Sequence, residues 1–588
     1  MRKSLSHFSL LTAALLVSAL ASAEPFLRVI QPYENANEPA VKQSFVFGSV
    51  LPATAALTIN GIPVKPYTNG GFLTMIPLEA GRFKIEAVAD DGISSTTVIR
   101  YVNVAAEPAP FPDDFKDILP AAPKGRQVVR VGDTIELAFQ GAPGGSAHFK
   151  FSGLGSDFAM EEQAGRSAGV YRGYYLVKAG DKFDNADVTF VLKRKDGKRI
   201  TQKAGVEITV QRRETPRVIE LKEDAILLTG PDGDLGYNLF ALQGVRFEVT
   251  GESGDFVRIA VGATNEGWVK KSAIIDLPAG TPLPHSISRN IRVWTNGSST
   301  FVEIPLQHRH LHRVEQTLEP HVLRLTLYGV TADTDRIRYA SDESAVRDIT
   351  WFQSDSETFT LDIRTRERLG WGYDVRYENN SLILEIRHKP QIAGKSPNPK
   401  LPSLKGLRVA VDAGHSVQSF GTIGPWGNTE ASVNLAAAKV VKQELERRGA
   451  EVVMIQDGTR ELTLSDRVLA AWKSKAQFYV SLHCDAVPEG TDPRENEGYS
   501  VHYFHPQSQP FAAALHKAYG AATGIKDAGL WRSNLAVCRT PTMPAVLLEM
   551  GFLVLPEQEE LLLSAKNQKH VAEAVASTLR ELVTQGDK

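Results

Sequence analysis

Residues 409–415 read VAVDAGH, and this stretch decides how the last third of the chain folds. A short apolar run that ends in polar residues and glycine is typical of a buried strand. Further strand-like runs at residues 477–482, 499–504 and 545–549 alternate with helix-like stretches. Strands that alternate with helices predict an α/β domain, with a mostly parallel sheet and flanking helices.

Four residues with metal-ligating or acid–base side chains stand at the ends of these elements. His415, His483 and Glu549 end three predicted strands, and Glu430 begins a helix-like stretch that runs to residue 448. In such a sheet, function gathers at the carboxyl ends of the strands. Two histidines and one glutamate would form a catalytic zinc site with a fourth position for water. The second carboxylate would then take a proton from that water.

Each of these residues also has a plainer interpretation. A lone histidine after a strand is more often a hydrogen-bonding residue than a ligand, and Glu430 alone is a charge favoured at a helix N-terminus. Glu549 follows the apolar run PAVLL, where an unpaired carboxylate is costly. The zinc hypothesis therefore depends on the four residues occurring together and not on any one of them alone.

The motifs of this region resemble a known family. VAVDAGH, TEASVNLAAAKVVKQELERRGAEVVM, AQFYVSLHCDA, GYSVHYF and PAVLLEMGFL are similar, in this order, to the zinc-dependent N-acetylmuramoyl-L-alanine amidases of the amidase-3 type. The resemblance implies that His415, Glu430 and His483 bind Zn²⁺ and that Glu549 is the general base and acid. It implies peptidoglycan as the substrate. The family usually has two glycines after the first histidine, where this chain has Ser416 and Val417.

Asp412 is the aspartate of the family's DxGH pattern. We expect it to orient the ligand loop rather than to bind the metal.

Composition narrows the class of partner. The 588 residues hold 66 Lys and Arg against 68 Asp and Glu, a net charge of −2, so no nucleic acid is expected as a partner. A chain of this length predicts several domains. Only two cysteines are present, Cys484 and Cys538, which excludes a disulfide framework and leaves one bridge open.

The first 23 residues predict export. Arg2 and Lys3 precede a short apolar run, and Ala21-Ser22-Ala23 fits a secretory cleavage site. The alternative is an uncleaved membrane anchor, for which the run is short of the ~20 apolar residues that span a bilayer. We expect an exported chain without a transmembrane segment after cleavage, most readily in the periplasm, with the cell wall or the extracellular space as alternatives.

The rest of the chain predicts several all-β modules ahead of the α/β domain. Turn pairs such as Asn60-Gly61 separate short alternating strands, and residues 267–269 read GWV, as in the closing strand of bacterial SH3-like modules. The expected segments are a signal peptide (1–23), an immunoglobulin-like sandwich (24–105), a proline-rich linker (106–124), a β-rich module (125–212), an SH3-like barrel (213–277), a module resembling the AMIN type (286–390), a linker (391–405) and the catalytic domain (406–588).

His308, His310 and His312 alternate with other residues in the fourth β module. We expect a solvated polar edge there rather than a metal site, because Arg309 and Arg313 add positive charge and no carboxylate is interleaved.

The function expected is hydrolysis of the amide between N-acetylmuramic acid and L-alanine, in cell-wall remodelling or daughter-cell separation. The alternatives are a zinc peptidase that cuts cell-wall peptides, a catalytically inactive peptidoglycan-binding regulator, and a polysaccharide hydrolase, which would use paired carboxylates without metal. The β modules would bind wall-targeting or cell-division partners.

Overall fold

The chain folds into a series of β modules followed by one α/β domain. The structure is a computed structural model, and it describes residues 24–107, 111–211, 216–232, 236–339 and 344–584. The expected signal peptide lies outside the described residues. Within them, every α-helix falls after residue 405. Separate clusters of buried apolar side chains give each module its own core.

The first β module is a two-sheet sandwich. Its strands are β1 (Phe26–Gln31), β2 (Asn37–Glu38), β3 (Gln43–Leu51), β4 (Ala56–Ile59), β5 (Ile62–Val64), β6 (Gly71–Pro77), β7 (Gly81–Asp90) and β8 (Ser95–Val104). One sheet has the order β1-β3-β6 and the other β2-β8-β7-β4-β5. Asn60 and Gly61, with φ of 48° and 76°, form the tight turn between β4 and β5 that their sequence predicts.

The second and third modules share a continuous sheet. The second has β9 (Leu119–Ala122), β10 (Gln127–Val129), β11 (Thr134–Gln140), β12 (Ser146–Phe151), β13 (Phe158–Glu162), β14 (Val170–Leu176), β15 (Ala186–Lys193) and β16 (Arg199–Val210). The third has β17 (Val218–Leu221), β18 (Ala225–Leu228), β19 (Tyr237–Ala241), β20 (Arg246–Ser253), β21 (Phe256–Val261), β22 (Asn265–Lys270) and β23 (Ile274–Asp276). Strand β10 pairs with both β16 and β20, which joins the two modules. Strand β9, inside the expected proline-rich linker, pairs with β11.

The fourth β module packs two sheets around a common core. Its strands are β24 (Ser286–Ser288), β25 (Ile291–Thr295), β26 (Ser299–Ile304), β27 (His312–Leu318), β28 (His321–Tyr328), β29 (Val330–Ala332), β30 (Ile337–Tyr339), β31 (Val346–Asp355), β32 (Thr358–Thr365), β33 (Tyr373–Glu378) and β34 (Ser381–Arg387). The main sheets have the orders β30-β25-β26-β34-β33 and β27-β28-β32-β31.

The solvated histidine edge expected in this module is wrong. His310 and His312 are buried, with 2% and 9% of their surface exposed, while His308 is exposed. Only His312 lies in a strand, so the three side chains do not share a strand face. The adjacent Leu311 belongs to the core of the third module, which covers this stretch. Burial lowers the pKa of both buried histidines to about 4, which keeps them neutral at pH 7.

The last domain contains β35 (Arg408–Ala413), α1 (Glu430–Arg447), β36 (Glu451–Met454), α2 (Leu464–Lys473), β37 (Phe478–Asp485), β38 (Tyr499–Tyr503), α3 (Gln509–Thr523), β39 (Asp527–Arg532), β40 (Ala545–Phe552), α4 (Pro556–Leu563) and α5 (Ala565–Thr584). The sheet has the order β36-β35-β37-β40-β38-β39. Neighbouring strands are parallel except for the antiparallel pair of β38 and β40. Helices α1, α3 and α5 bury one face, and α2 packs on the other.

Across the described ranges, no helix combines the length and apolar character needed to cross a membrane.

Candidate metal centre

Three predicted ligands meet at one end of the sheet. Nε2 of His415 lies 3.2 Å from Oε2 of Glu430, and Nδ1 of His483 lies 3.1 Å from Oε1 of the same carboxylate. One ligand atom from each residue lies within 4.8 Å of the others, the only such group of three among the residues that the structure describes. His415 lies two residues after β35, Glu430 is the first residue of α1, and His483 lies two residues before the end of β37.

Glu430 is buried, with 4% of its surface exposed, and both oxygens of its carboxylate accept hydrogen bonds. Oε1 accepts from the Cys484 backbone N–H at 3.1 Å and from Nδ2 of Asn434 at 3.2 Å, and Oε2 accepts from the Thr422 N–H at 3.1 Å. Burial alone would raise the pKa of Glu430, but the hydrogen bonds to the two histidines outweigh it and lower the pKa. The carboxylate is therefore ionised, as a metal ligand must be.

Two glycines leave the space in which the ligands sit. A Cβ on Gly414 would overlap the imidazole ring of His483, and a Cβ on Gly421 would overlap the carboxylate of Glu430. Gly421 has in addition a φ of +73°, which side chains rarely adopt. The loop after His415 lacks the glycine pair that is usual in the family. Gly414 and Gly421 nevertheless provide the room that the ligand side chains need.

His415 itself adopts a left-handed backbone conformation, with φ of 65°, which is uncommon outside glycine. Arg467 holds it there, because Nη2 donates to the carbonyl oxygen of His415 at 2.7 Å. Nη1 of Arg467 donates to the Ala413 carbonyl at 2.9 Å and to Oδ1 of Asp412 at 2.7 Å.

Asp412 is fully buried, and its carboxylate forms hydrogen bonds with Arg467, Tyr479 and Ser481 rather than with the predicted ligand side chains. Besides Arg467, its carboxylate accepts from Ser481 Oγ at 2.9 Å and Tyr479 Oη at 3.2 Å. Its connection to the first ligand therefore runs through the guanidinium of Arg467.

Glu549 lies on β40, directly beside His483 in the register of the parallel pair β37–β40. Its Oε2 is buried and has no hydrogen-bond partner among the described residues. Burial raises the pKa of Glu549 well above its usual 4.5, and the carboxylates of Asp485 and Glu430 add to the effect. A carboxyl group with a raised pKa beside a ligand cluster has the properties of a proton carrier.

Sequence reasoning missed two contributors. Asn434 is fully buried one helical turn after Glu430 and bridges that carboxylate to the Gly414 carbonyl, 3.3 Å away. Its signal in the sequence is a polar residue on the apolar face of α1.

The second contributor that the sequence did not indicate is the first β module, which contacts the loop that leads to Glu430.

The two cysteines are free and buried in the structure. Burial raises the pKa of the Cys484 thiol well above its usual range, so it packs as a neutral side chain beside the ligands.

The residues present fit a zinc ion. Two imidazoles and one ionised carboxylate are the donor set of catalytic zinc sites, and their ligand atoms converge on one point. Gly414 and Gly421 leave room for the His483 ring and the Glu430 carboxylate at this site.

The fold and the side-chain set fit a metal-dependent hydrolase domain. Residues 409–581 match the family model described as N-acetylmuramoyl-L-alanine amidase, Amidase_3. The catalytic domain of the N-acetylmuramoyl-L-alanine amidase CwlV from Bacillus (Paenibacillus) polymyxa is 34% identical, over 97% of that chain and 30% of this one, with a TM-score of 0.28. Residues 409–581 are therefore similar to the N-acetylmuramoyl-L-alanine amidases.

Curated relatives match over the same third of the chain. The probable cell wall amidase LytH of Staphylococcus epidermidis is 27% identical over 203 residues, which are 33% of this chain and 67% of LytH. The N-acetylmuramoyl-L-alanine amidase LytC of Bacillus subtilis is 27% identical over 198 residues, 34% of this chain and 40% of LytC. The chain thus spans two thirds or less of these relatives, and the likeness lies in the catalytic segment.

Proposed function

We propose that this protein hydrolyses the amide between the lactyl group of N-acetylmuramic acid and L-alanine in peptidoglycan, with Zn²⁺ as cofactor. The observation that carries the proposal is the convergence of His415, Glu430 and His483 within 4.8 Å, with Glu549 on the adjacent strand. The family match over residues 409–581 supports the choice of substrate.

His415, Glu430 and His483 would hold the zinc ion. A zinc ion supplies Lewis acidity, which lowers the pKa of water and polarises the carbonyl of the scissile amide. The ionised state of Glu430 and the hydrogen bonds that fix its two oxygens keep this ligand in place before substrate arrives.

Glu549 would carry the proton. It takes a proton from the attacking water as the water oxygen bonds to the lactyl carbonyl carbon. It then gives that proton to the alanine nitrogen as the C–N bond breaks, which leaves a free carboxyl on the lactyl group and a free amine on the peptide. The unpaired Oε2 of Glu549 supports this role, because that atom is available to accept the proton.

Asp412 would act through Arg467. The guanidinium spans Asp412 and the carbonyls of Ala413 and His415, so its position is fixed by a buried ion pair. We assign Asp412 and Arg467 a positioning role for the first ligand.

The same proposal places the enzyme outside the cytoplasm, in the periplasm, with the cell wall or the extracellular space as alternatives. The β modules, which we assign as immunoglobulin-like, SH3-like and AMIN-like, would bring it to peptidoglycan or to division partners. Cell-wall remodelling or daughter-cell separation would then be its task.

Product analysis tests the proposal. Purified sacculi are digested with the chain from residue 24 onward and Zn²⁺, and the soluble products are examined by mass spectrometry and amino-terminal labelling. We expect released peptides with a free L-alanine amino group and glycan strands without peptide. If new amino termini arise only within the peptides, the protein is a zinc peptidase rather than an amidase. Binding to sacculi without release of products would indicate an inactive regulator. Loss of activity with a chelator, restored by Zn²⁺, separates the zinc enzyme from a polysaccharide hydrolase.

A further inference from the structure

The loop that precedes Glu430 is closed on itself. The Glu430 N–H donates to the Thr422 carbonyl at 2.8 Å, and Ile423 and Thr429 form an antiparallel bridge. At the tip, the Gly424 N–H donates to the Asn428 carbonyl at 2.8 Å. Because the two arms are paired, a displacement of the tip is transmitted to Glu430.

Glu559, on α4, holds this tip from inside the domain. It is fully buried, and its carboxylate accepts from the Trp426 N–H at 2.9 Å and from Nδ2 of Asn428 at 2.8 Å. The tip is therefore fixed on the side that faces the catalytic domain.

The first β module holds the same tip from the other side. The indole of Trp426 is stacked on Phe26, with ring centroids 6.4 Å apart and planes 3° from parallel. A Cβ on Gly70 would lie 3.2 Å from Cζ2 of Trp426, so the indole also rests against the turn before β6. The guanidinium of Arg28 lies against the backbone of Gly427, within 2.9 Å of a Cβ built there.

The module also contacts the segment that follows Glu549. Nδ2 of Asn69 donates to the Pro556 carbonyl at 2.8 Å. A buried apolar cluster joins the module to the end of β40 and the residues after it; its members are Phe45, Phe47, Leu73, Phe552, Val554 and Leu555.

The segment that follows His483 is held in the same way. The carboxylate of Glu489 accepts from Ser44 Oγ at 2.7 Å and from Nε2 of Gln31 at 3.2 Å. Segments next to three of the four site residues are thus packed against one β module.

We propose that the first β module holds the geometry of the metal centre, and that Trp426, held between Phe26 and the Asn69-Gly70 turn, is a positioning residue for Glu430. This inference rests on the proposed zinc site. It changes the task of the module from targeting alone to setting the geometry of a ligand.

The test compares two truncations on the same module in the full chain. Phe26→Ala removes only the aromatic partner of Trp426, and Tyr33→Ala removes a side chain that is 63% exposed and serves as the matched control. Zn²⁺ affinity is measured by competition with a chromophoric chelator, and kcat and KM are measured separately on sacculus fragments. For Phe26→Ala we expect zinc affinity to fall about three- to tenfold and kcat to fall with unchanged KM. A stacked aromatic pair changes an equilibrium constant by about two- to tenfold. Tyr33→Ala should match the wild type.

A second measurement does not depend on zinc or on activity. Hydrogen exchange of the metal-free chain reports the amides of residues 422–430, which should exchange faster in Phe26→Ala than in Tyr33→Ala. Unaltered exchange together with unaltered zinc affinity would overturn the inference. A wild-type chain that binds no zinc would overturn the proposed function instead, and the exchange measurement would still decide whether the module holds the loop.

Discussion

The imidazole ring of His483 lies over the backbone of Gly414, in the space that a Cβ at residue 414 would occupy. The φ of Gly414 is not in the left-handed region, so the glycine is needed here for room and not for its backbone conformation. The ligand on β37 can reach Glu430 because the residue that follows β35, Gly414, has no side chain.

Gly414→Ala should therefore displace His483 while the domain still folds. We expect zinc affinity to fall by about tenfold or more and hydrolysis to fall with it, since small shifts around a metal ligand are costly. Zinc content after dialysis and the circular dichroism spectrum report the two effects. Gly155→Ala, at a position where an added Cβ meets nothing within 4 Å, is the control. Full zinc occupancy in Gly414→Ala would contradict this account of the ring position.

Glu549→Gln should remove the proton acceptor without removing a ligand. The amide keeps the shape of the side chain but does not take up a proton, so kcat should fall about a hundred- to ten-thousand-fold. Zinc content should stay at the wild-type level. Glu560→Gln, which changes an exposed carboxylate on the neighbouring helix α4, is the control. Substantial turnover by Glu549→Gln would transfer the proton-carrying role to another residue.

The catalytic domain could be predicted from sequence because its signals are local. Each proposed site residue stands at the end of an apolar run or at a helix start, so the strand and helix pattern alone brings them to one edge of the sheet. Helix α4 was missed, since Pro556 reads as a break although proline is well suited to the first turn of a helix. Strand β39 was missed because Asp527 and Gly529 in its sequence are typical of a turn.

Contacts between modules could not be predicted in this way. Phe26 and Trp426 are 400 positions apart, and nothing in either local sequence indicates the other. His310 looked solvated because arginine flanks it, yet it is buried where the third module packs against the fourth. The alternation of apolar and polar residues along a strand shows which face of that strand packs on the core of its own module. It carries no information about contacts with a neighbouring module.

Arg467→Lys tests the connection between Asp412 and the first ligand. Lysine retains the charge but does not present two donor nitrogens in a plane, so it cannot hold Asp412 and the carbonyls of Ala413 and His415 together. We expect the domain to lose about 3 kcal/mol of unfolding free energy, because a buried carboxylate is left poorly paired. Zinc affinity should fall by about tenfold, because the strained backbone of His415 loses its support. Arg460→Lys, at an exposed position, controls for the change of side chain, and equal urea midpoints for the two variants would contradict the prediction.

Glu38 predicts a pH-dependent stability at the contact between the first module and the catalytic domain. It is 4% exposed, and its Oε2 has no partner among the described residues. Burial, followed by the nearby carboxylate of Glu489, raises its pKa from 4.5 to about 7. The folded chain therefore holds this proton more tightly than the unfolded chain does. Unfolding free energy is lost as the pH rises from 4.5 to about 7, and the full penalty is present above that window.

Glu38→Gln should remove that penalty, because glutamine stays neutral at every pH. We expect a gain on the order of 2 kcal/mol at about pH 8 and almost none at about pH 4. Calorimetric unfolding of the chain at the two pH values measures the difference, with Glu79→Gln, on the exposed surface of the same module, as the control. Since Glu38 lies beside Glu489, the stabilisation should appear in the transition that separates this module from the catalytic domain. An equal gain at both pH values would show that packing, rather than the buried charge, is what the substitution changes.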